Sequence, residues 1–323
     1  MKRPINVEIG IIAWKKLSRR SQLLSKAVNA KLWFFPDKVP YIRAFLDTLR
    51  VVVRENPRII IVQLPQGPLL FEALLLKMLK KCEVVADVHT GFLVSTGWKG
   101  LLLNFLFVKF LRYADLILVH NSFQLHLIPC SLRIKTLVVF DPWYLISDEE
   151  NRIDKQGDYI VFPSSFAPDE PLEEVLKSIE FFDIPVKMYI TGDWSKKPEI
   201  IKHASDKVIF TGYLTNEEYY KLLSNAAAVL TGTKREYTSL MSAWEAVAYA
   251  KPLALTETGT LKSLFSGYAV FYDWKDSKSI ANAIKSVLSL KPNMLIREEL
   301  KLRTLESIKM LNQRLKRLRT RFI

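Results

Sequence analysis

Apolar residues fall along this chain in two alternating rhythms. Short continuous runs of Val, Ile, Leu and aromatic residues read as strands: INVEIGII, KLWFF, RIIIVQL, EVVADV, DLILVH and TLVVF occupy the first half. Between them lie stretches such as SQLLSKAV, YIRAFLDTLRVVVRE and LLFEALLLKMLKK, where the apolar positions return with helical spacing. Strands that are apolar on both faces, separated by amphipathic helices, predict a parallel sheet covered by helices on both sides. The rhythm stops at DPWYLISDEENRIDKQGD, which is polar and without period, and resumes with YIVFPS, VKMYIT, KVIFTG, AAVLTG, PLALTE and AVFYD. The pattern therefore predicts two doubly wound, Rossmann-like α/β domains, at 1–143 and 158–292, joined by a linker at 144–157. A basic helix follows at 293–323, ending in QRLKRLRTRFI. Open parallel sheets bind ligands beyond the carboxyl ends of their strands, so a tandem pair predicts two domains facing a cleft, with the informative residues just after strands.

Composition narrows the class. Hydrophobic residues make up 49% and charged residues 25%, which excludes a wholly disordered chain. Cys82 and Cys130 are too few for a disulfide framework and lack metal-ligand spacing, so the default is a reduced, cytoplasmic setting. MKRPINVEIGIIAW reads as a first strand, not a signal peptide. The most apolar stretch, GLLLNFLFVKFL, is short of a membrane span and is broken by Asn104 and Lys109. The net charge of +14 points to a polyanionic partner: nucleic acid, anionic lipid or a phosphorylated substrate. It is concentrated at the ends, with twelve Lys/Arg against three Asp/Glu in Met1–Arg54 and nine against three in Arg297–Ile323.

The stretch REYTSLMSAWEAVAYAKPLALTETGT holds the densest chemistry. A strand, AAVLTGT, leads into a helix, TSLMSAWEAVAYA, for which Thr238 and Ser239 are natural N-caps. The free amides and positive dipole end of such a helix suit a phosphate or diphosphate. Glu245 falls at the edge of the apolar stripe, where its carboxylate would accept a pair of sugar hydroxyls, and Glu236 would do the same from the other side of the phosphates. The competing reading is a capped helix with two solvent-facing glutamates.

This segment resembles the donor-site signature of GT-B glycosyltransferases of the family-4 type, glycosyl transferases group 1. It is similar to a branch with [RK]-[DE]-x-T ahead of the helix, and VVADVHTGF, FDPW, FPSSFAPDEPLEEVL, ITGD and FTGYLTNEEYYKLL resemble that branch too, from about Pro57 to Leu288. The resemblance implies a GT-B fold, with an acceptor-side first domain and a donor-binding second domain. It implies donor contacts from Ser164, Ser165, Asp169, Gly212, Tyr213, Thr238, Ser239, Leu240 and Glu245. It gives Glu236 to the transferred sugar and brings His89 up to that sugar. Many members carry an Arg and a Lys-Gly after the first donor-domain strand, where PSSFAPDEP has acids. Lys234 and Arg235, or Lys196 and Lys197, must then neutralise the departing diphosphate if no metal takes part. The glycine-rich loop often seen after the first strand is also absent.

His89, in DVHTG at a strand end, reads as functional. His120 reads as a loop residue, His126 and His203 as surface residues, and Asp87 as a backbone partner of the HTG turn more than as a base. WKKLSRRSQLLSKAV and the segment Gly100–Arg112, with Trp98, Leu101, Leu102, Phe105 and Phe110 beside Lys99, Lys109 and Arg112, have the make-up of interfacial helices, although core packing accounts for most such apolar density. No aromatic residues interleave the basic C-terminal run, which argues against nucleic acid. The expectation is a cytoplasmic, membrane-peripheral glycosyltransferase, retaining and metal-independent. It uses a UDP- or GDP-linked sugar and a glycan or lipid-linked acceptor. Two rivals are a non-hydrolysing nucleotide-sugar epimerase and a non-catalytic, basic lipid- or nucleic-acid-binding relative.

Overall fold

The computed structural model describes residues 7–94, 106–146, 157–182, 185–203 and 205–320. The chain divides into two units, Met1–Pro142 with Leu302–Ile323, and Trp143–Lys301. Each is built on a six-stranded sheet in which every pairing is parallel.

In the first unit, β1 (Ile9–Trp14), β2 (Lys31–Phe35), β3 (Ile59–Gln63), β4 (Glu83–Asp87), β5 (Leu116–Val119) and β6 (Thr136–Val138) lie in the order β2-β1-β3-β4-β5-β6. The connecting helices are α1 (Arg19–Ala27), α2 (Ile42–Glu55), α3 (Gly67–Lys80), α4 (Thr90–Leu93) and α5 (Ser122–Leu127). Side chains alternate across a strand, and here both sets are apolar. Ile12, Trp14, Ile60 and Val62 pack beneath α2 and α3 with Val51, Val52, Leu69 and Leu70. Ile9, Ile11, Ile59 and Ile61 pack on the other face with Leu24 of α1 and with Ile308, Leu311 and Leu315. Those last three belong to α11 (Met294–Arg319), the closing helix, whose residues from Leu302 onward cluster with the first unit. Fully burying one such side chain contributes about 1.5–3 kcal/mol, so a sheet covered on both faces is the main source of stability.

The second unit carries β7 (Tyr159–Pro163), β8 (Lys187–Thr191), β9 (Val208–Gly212), β10 (Ala228–Thr231), β11 (Leu253–Thr256) and β12 (Ala269–Tyr272), ordered β12-β11-β10-β7-β8-β9. Its helices are α6 (Leu172–Ser178), α7 (Asn216–Ser224), α8 (Met241–Ala248), α9 (Gly259–Phe265) and α10 (Ser277–Leu288). Most of the 144–157 stretch and the apolar run at 95–105, including Trp98, Lys99, Leu101, Leu102 and Phe105, lie outside the described residues.

Helix α8 is held at both sides. Trp244 stacks on Trp143 with centroids 6.4 Å apart and planes 8° from parallel. At the helix's end, buried Arg297 donates Nε to the Val247 carbonyl at 2.9 Å and Nη2 to the Ala248 carbonyl at 3.0 Å. Its guanidinium also lies 5.4 Å from the Trp143 ring centre. A buried cation on the last carbonyls complements the helix dipole and satisfies groups no helical amide can reach. Arg297→Ala removes two charge-assisted bonds from these carbonyls; the second unit should lose about 3 kcal/mol, read as a lowered midpoint in denaturant unfolding.

Candidate functional site

In the second sheet the chain winds from β7 through β8 to β9 in one direction and from β10 through β11 to β12 in the other. Neighbouring strands β7 and β10 therefore send their following loops apart, and the crevice at such a switch point is where an open parallel sheet takes a ligand. The two loops are fastened together there. The Lys234 amide donates to the Asp169 carbonyl at 2.7 Å, and the Thr233 hydroxyl to the Asp169 carboxylate at 3.0 Å. Gly232 makes the turn passable: a Cβ there would stand 2.3 Å from Thr256 Cγ2 and 2.6 Å from the Tyr272 hydroxyl.

After β7, Ser164 and Ser165 do not present free hydroxyls. Both donate to the carboxylate of Glu170, at 2.6 and 2.7 Å, and the amides of Ser165 (2.9 Å) and Phe166 (3.1 Å) join them. Four donors converge on one carboxylate in a nest of the kind that also binds anions. Glu170 was not singled out from the sequence; an acid five residues beyond a Ser-Ser pair is the signal that marks it.

After β10, the capping expectation is corrected and the surroundings of both glutamates are seen. Thr238 and Ser239 are not the N-caps of α8. The cap is Leu240, which offers no side-chain hydrogen bond, while Thr238 Oγ1 donates to the Glu236 carbonyl and Ser239 Oγ accepts from Trp244 Nε1 at 2.9 Å. Glu236 is turned toward the next helix. Its carboxylate accepts the amides of Gly259 (3.0 Å) and Thr260 (2.7 Å) and a short bond from the Thr260 hydroxyl. Burial pushes this carboxyl up, and those bonds outweigh it, so its pKa lies below the usual value. Glu245, one turn into α8, is not at a solvent edge: it is 5% exposed and accepts from the Tyr219 hydroxyl at 2.6 Å. Tyr219, on α7, had no sequence motif to reveal it.

The backbone between these groups is strained. Tyr237 has φ 65°, a left-handed conformation that costs a non-glycine residue about 1–2 kcal/mol, and its amide is held by Thr260 Oγ1 at 3.0 Å. At the end of β9, Gly212 (φ 73°) bonds through its carbonyl to the Gly192 amide, and the Tyr213 ring is 84% exposed. The nearby cations are already engaged. Lys234 pairs with Glu174 at 2.8 Å and lies 4.9 Å from the Trp274 ring centre, Arg235 is 3.6 Å from Asp169, and Lys196 donates to the Ser165 carbonyl at 3.2 Å.

The first unit gathers a second polar group at the ends of β4, β5 and β6. Asp87 does not serve the backbone of the HTG turn. Buried to 1% exposure, it takes Arg20 Nε at 3.1 and 3.3 Å, and Arg20 Nη1 continues to Asp141 at 2.9 Å and the Val139 carbonyl at 2.9 Å. His89 Nε2 and His120 Nε2 approach the same carboxylate at 3.6 and 3.8 Å, their rings edge to face at 4.6 Å. His120, in the bend after β5, is thus part of this cluster. Arg20 was missed because only tertiary packing turns a basic residue of α1 inward, beside Leu23 and Leu24. Asp87, His89 and His120 bring three ligand-type atoms within 4.8 Å of one another. A cation there would meet the buried Arg20 guanidinium across the same carboxylate, and that repulsion favours a proton-bearing cluster over a metal centre. Burial would raise Asp87, but Arg20 and both imidazoles hold it well below the carboxylate range. Burial, then Arg20 and His89, push His120 well below its ordinary value.

With this geometry in view, the class of fold is plain: two α/β units, each on an open six-stranded parallel sheet, are the architecture of the GT-B fold. Residues 146–302 match the family described as Glycosyl transferases group 1. The chain has the GT-B fold and carries a glycosyl transferases group 1 region, which makes it a glycosyltransferase. It is similar to the lipopolysaccharide outer core galactosyltransferase WaaB in its apo form (TM-score 0.66, 13% identity, 95% of this chain and 98% of that one). It is also similar to HepE from Anabaena in complex with UDP-glucose (0.67, 11%, 95% and 98%) and to sucrose-phosphate synthase from Thermosynechococcus elongatus (0.64, 12%, 98% and 97%). At these identities the likeness fixes the fold. No curated protein matches the chain by sequence.

The titration of the Asp87 cluster has a defined sign. Unfolded, His120 takes a proton near its ordinary value of about 6.5, which the folded protein refuses, so the unfolded state binds more protons and stability rises with pH through that window. Asp87 adds stability present above the ordinary carboxylate value and lost as pH falls below it. Lowering the pH from about 7.5 to about 5.5 should therefore weaken hydrogen-exchange protection in β4 and β5, and His120→Asn should flatten that dependence.

Proposed function

We propose that the protein transfers a hexose from a UDP- or GDP-linked sugar to a hydroxyl of a glycan or lipid-linked acceptor, retaining the anomeric configuration and using no bound metal. The carrying observation is α8: it starts at the β7–β10 switch point without a side-chain cap and buries Glu245 one turn in. By contrast α7, α9 and α10 are capped by Thr215, Thr258 and Asp276. In this reading the amides of the Thr238–Leu240 turn take the diphosphate and Glu245, oriented by Tyr219, takes the ribose hydroxyls. Gly212 and Tyr213 hold the base. The remaining lone pairs of Glu236 and the imidazole of His89 address the sugar.

The chemistry breaks the bond from the anomeric carbon to the diphosphate oxygen and forms one to the acceptor oxygen, whose proton passes to the departing diphosphate. Negative charge grows on the leaving diphosphate, and donors aimed at it lower the barrier. Lys234, Arg235 and Lys196 can supply that charge only by leaving Glu174, Asp169 and the Ser165 carbonyl. The donor must therefore compete with the protein's own acids. The Ser164–Ser165–Phe166 nest gives up its donors only if Glu170 swings out.

Saturating UDP, GDP or a matching nucleotide sugar, at about 100-fold over Kd, adds about 2.7 kcal/mol to the folded state and should raise the melting temperature by about 5 °C or more. Glu245→Gln, which keeps the shape of the side chain, should lose most of that shift while retaining its own cooperative unfolding. A full shift in this variant, or none with any nucleotide in the wild type, would sink the proposal.

A further inference from the structure

Two helices of the first unit are apolar on the side that faces away from their sheet. On α2 the sheet side is Ala44, Thr48, Val51 and Val52, yet Ile42, Leu46 and Val53, with spacings of four and seven, form a second stripe exposed by 63%, 43% and 47%. On α3 the outer stripe is Phe71, Leu75, Met78 and Leu79, and the last two are 82% and 75% exposed. The helices pack side by side, and α3 also packs against Lys109–Tyr113. Between α3 and that segment lies an open, mostly apolar hollow of about 530 Å³ bordered by Phe71, Phe107, Phe110 and Tyr113. Three adjacent elements thus leave one continuous apolar face uncovered among the described residues, more than scattered surface leucines explain.

The charge around this face has one sign. Residues 42–55, 67–81 and 106–113 carry eight Lys or Arg against three carboxyls, Asp47, Glu55 and Glu72. Asp47 and Glu55 pair with Arg50 and Arg54. Glu72 is buried, and burial pushes it up to about 9, so it is uncharged at neutral pH. Arg43, Lys81, Lys109 and Arg112 are exposed on or beside the helices, and Lys109 and Arg112 rim the hollow.

We infer that the α2–α3 face, continued by Leu106–Tyr113, docks the protein on an anionic phospholipid surface, with the outer stripes entering the acyl boundary and the surrounding Lys and Arg meeting lipid phosphates. The purpose rests on the lipid-linked acceptor in the transfer reading; the docking itself rests on the face alone. Apolar stripes ringed by basic side chains match the interfacial mode of binding, where buried apolar area and attraction to anionic lipid add. A second copy meeting this face by a two-fold axis would set like charges against each other. A protein partner would more commonly find Lys depleted from the contact.

The full chain, without donor or acceptor, is sedimented with phosphatidylcholine vesicles holding about 30% phosphatidylglycerol, and with pure phosphatidylcholine vesicles. It should bind the first and not the second, and about 0.5 M salt should release most of it. Met78→Ser with Leu79→Ser, both on exposed positions, should weaken partitioning about ten-fold with unchanged unfolding, while Leu302→Ser on α11, 66% exposed, should leave it unaltered. Absence of binding to anionic vesicles overturns the inference. So does binding indifferent to the α3 pair, or a dimer in light scattering that the α3 pair dissociates. Nucleotide-induced stabilisation, measured on the same preparations, separates the two ideas: kept nucleotide binding without vesicle binding removes only the docking, and the reverse removes only the transfer reading.

Discussion

The clasp between Asp169 and the Thr233–Lys234 turn is the contact on which the second unit's chemistry depends. Parallel strands all end at the same edge, and at the switch point their loops leave in opposite directions, so nothing in the sheet keeps them in register with each other. A backbone bond at 2.7 Å and a hydroxyl–carboxylate bond at 3.0 Å do so here. They set where Lys234 and Arg235 begin, where Glu236 can reach and hence where α8 starts. Glu236 extends the chain of dependence to α9 through Gly259 and Thr260. A shift in the β7 loop would travel to both helix starts.

The strands were legible in the sequence because burial on both faces leaves no polar alternation to confuse them. KLWFF is β2 to the residue, and EVVADV and YIVFPS each overrun β4 and β7 by one. The start of α8 was not legible, for a physical reason. Thr238 and Ser239 have the right chemistry for a cap, but a hydroxyl caps only if nothing else claims it and the backbone turns there. Trp244 claims Ser239, and the left-handed Tyr237 delays the helix until Met241. The burial of Glu245 was hidden for a similar reason. Periodicity places it at the edge of a stripe, but Trp143 and Arg297 close over the helix from regions far away in sequence and bury all sides of it.

The departures from the family pattern take on a common logic in three dimensions. Acids stand where a cation-rich loop is expected, and each is spoken for: Glu170 in the amide nest, Asp169 on Thr233 and Arg235, Glu174 on Lys234. These loops are self-neutralised, each carboxylate already paired with the chain's own donors. Such pairing lowers the cost of holding several like cations together in a protein of net charge +14. In the transfer reading, affinity for a diphosphate is then a difference between two sets of charge contacts, not a sum over cations.

The first unit uses the opposite device. Arg20 is taken wholly out of water, and its charge is balanced by Asp87 and Asp141 contributed from the ends of two other strands. A buried ion triad of this kind adds little net stability over apolar packing, but removing one partner leaves the others exposed to the full desolvation penalty. It therefore specifies geometry more than it stabilises. The beneficiaries are His89 and His120, which have no other hydrogen-bond partner for Nε2 among the described residues and are oriented by the carboxylate they share. Burial first, and then Arg20 and His89, hold His120 neutral. The cluster presents ring nitrogens able to exchange hydrogen bonds with hydroxyl groups, the chemistry a sugar offers. Sequence showed only a histidine after a strand; the arginine that fixes the carboxylate beside it came from a helix 67 residues earlier than the aspartate it binds.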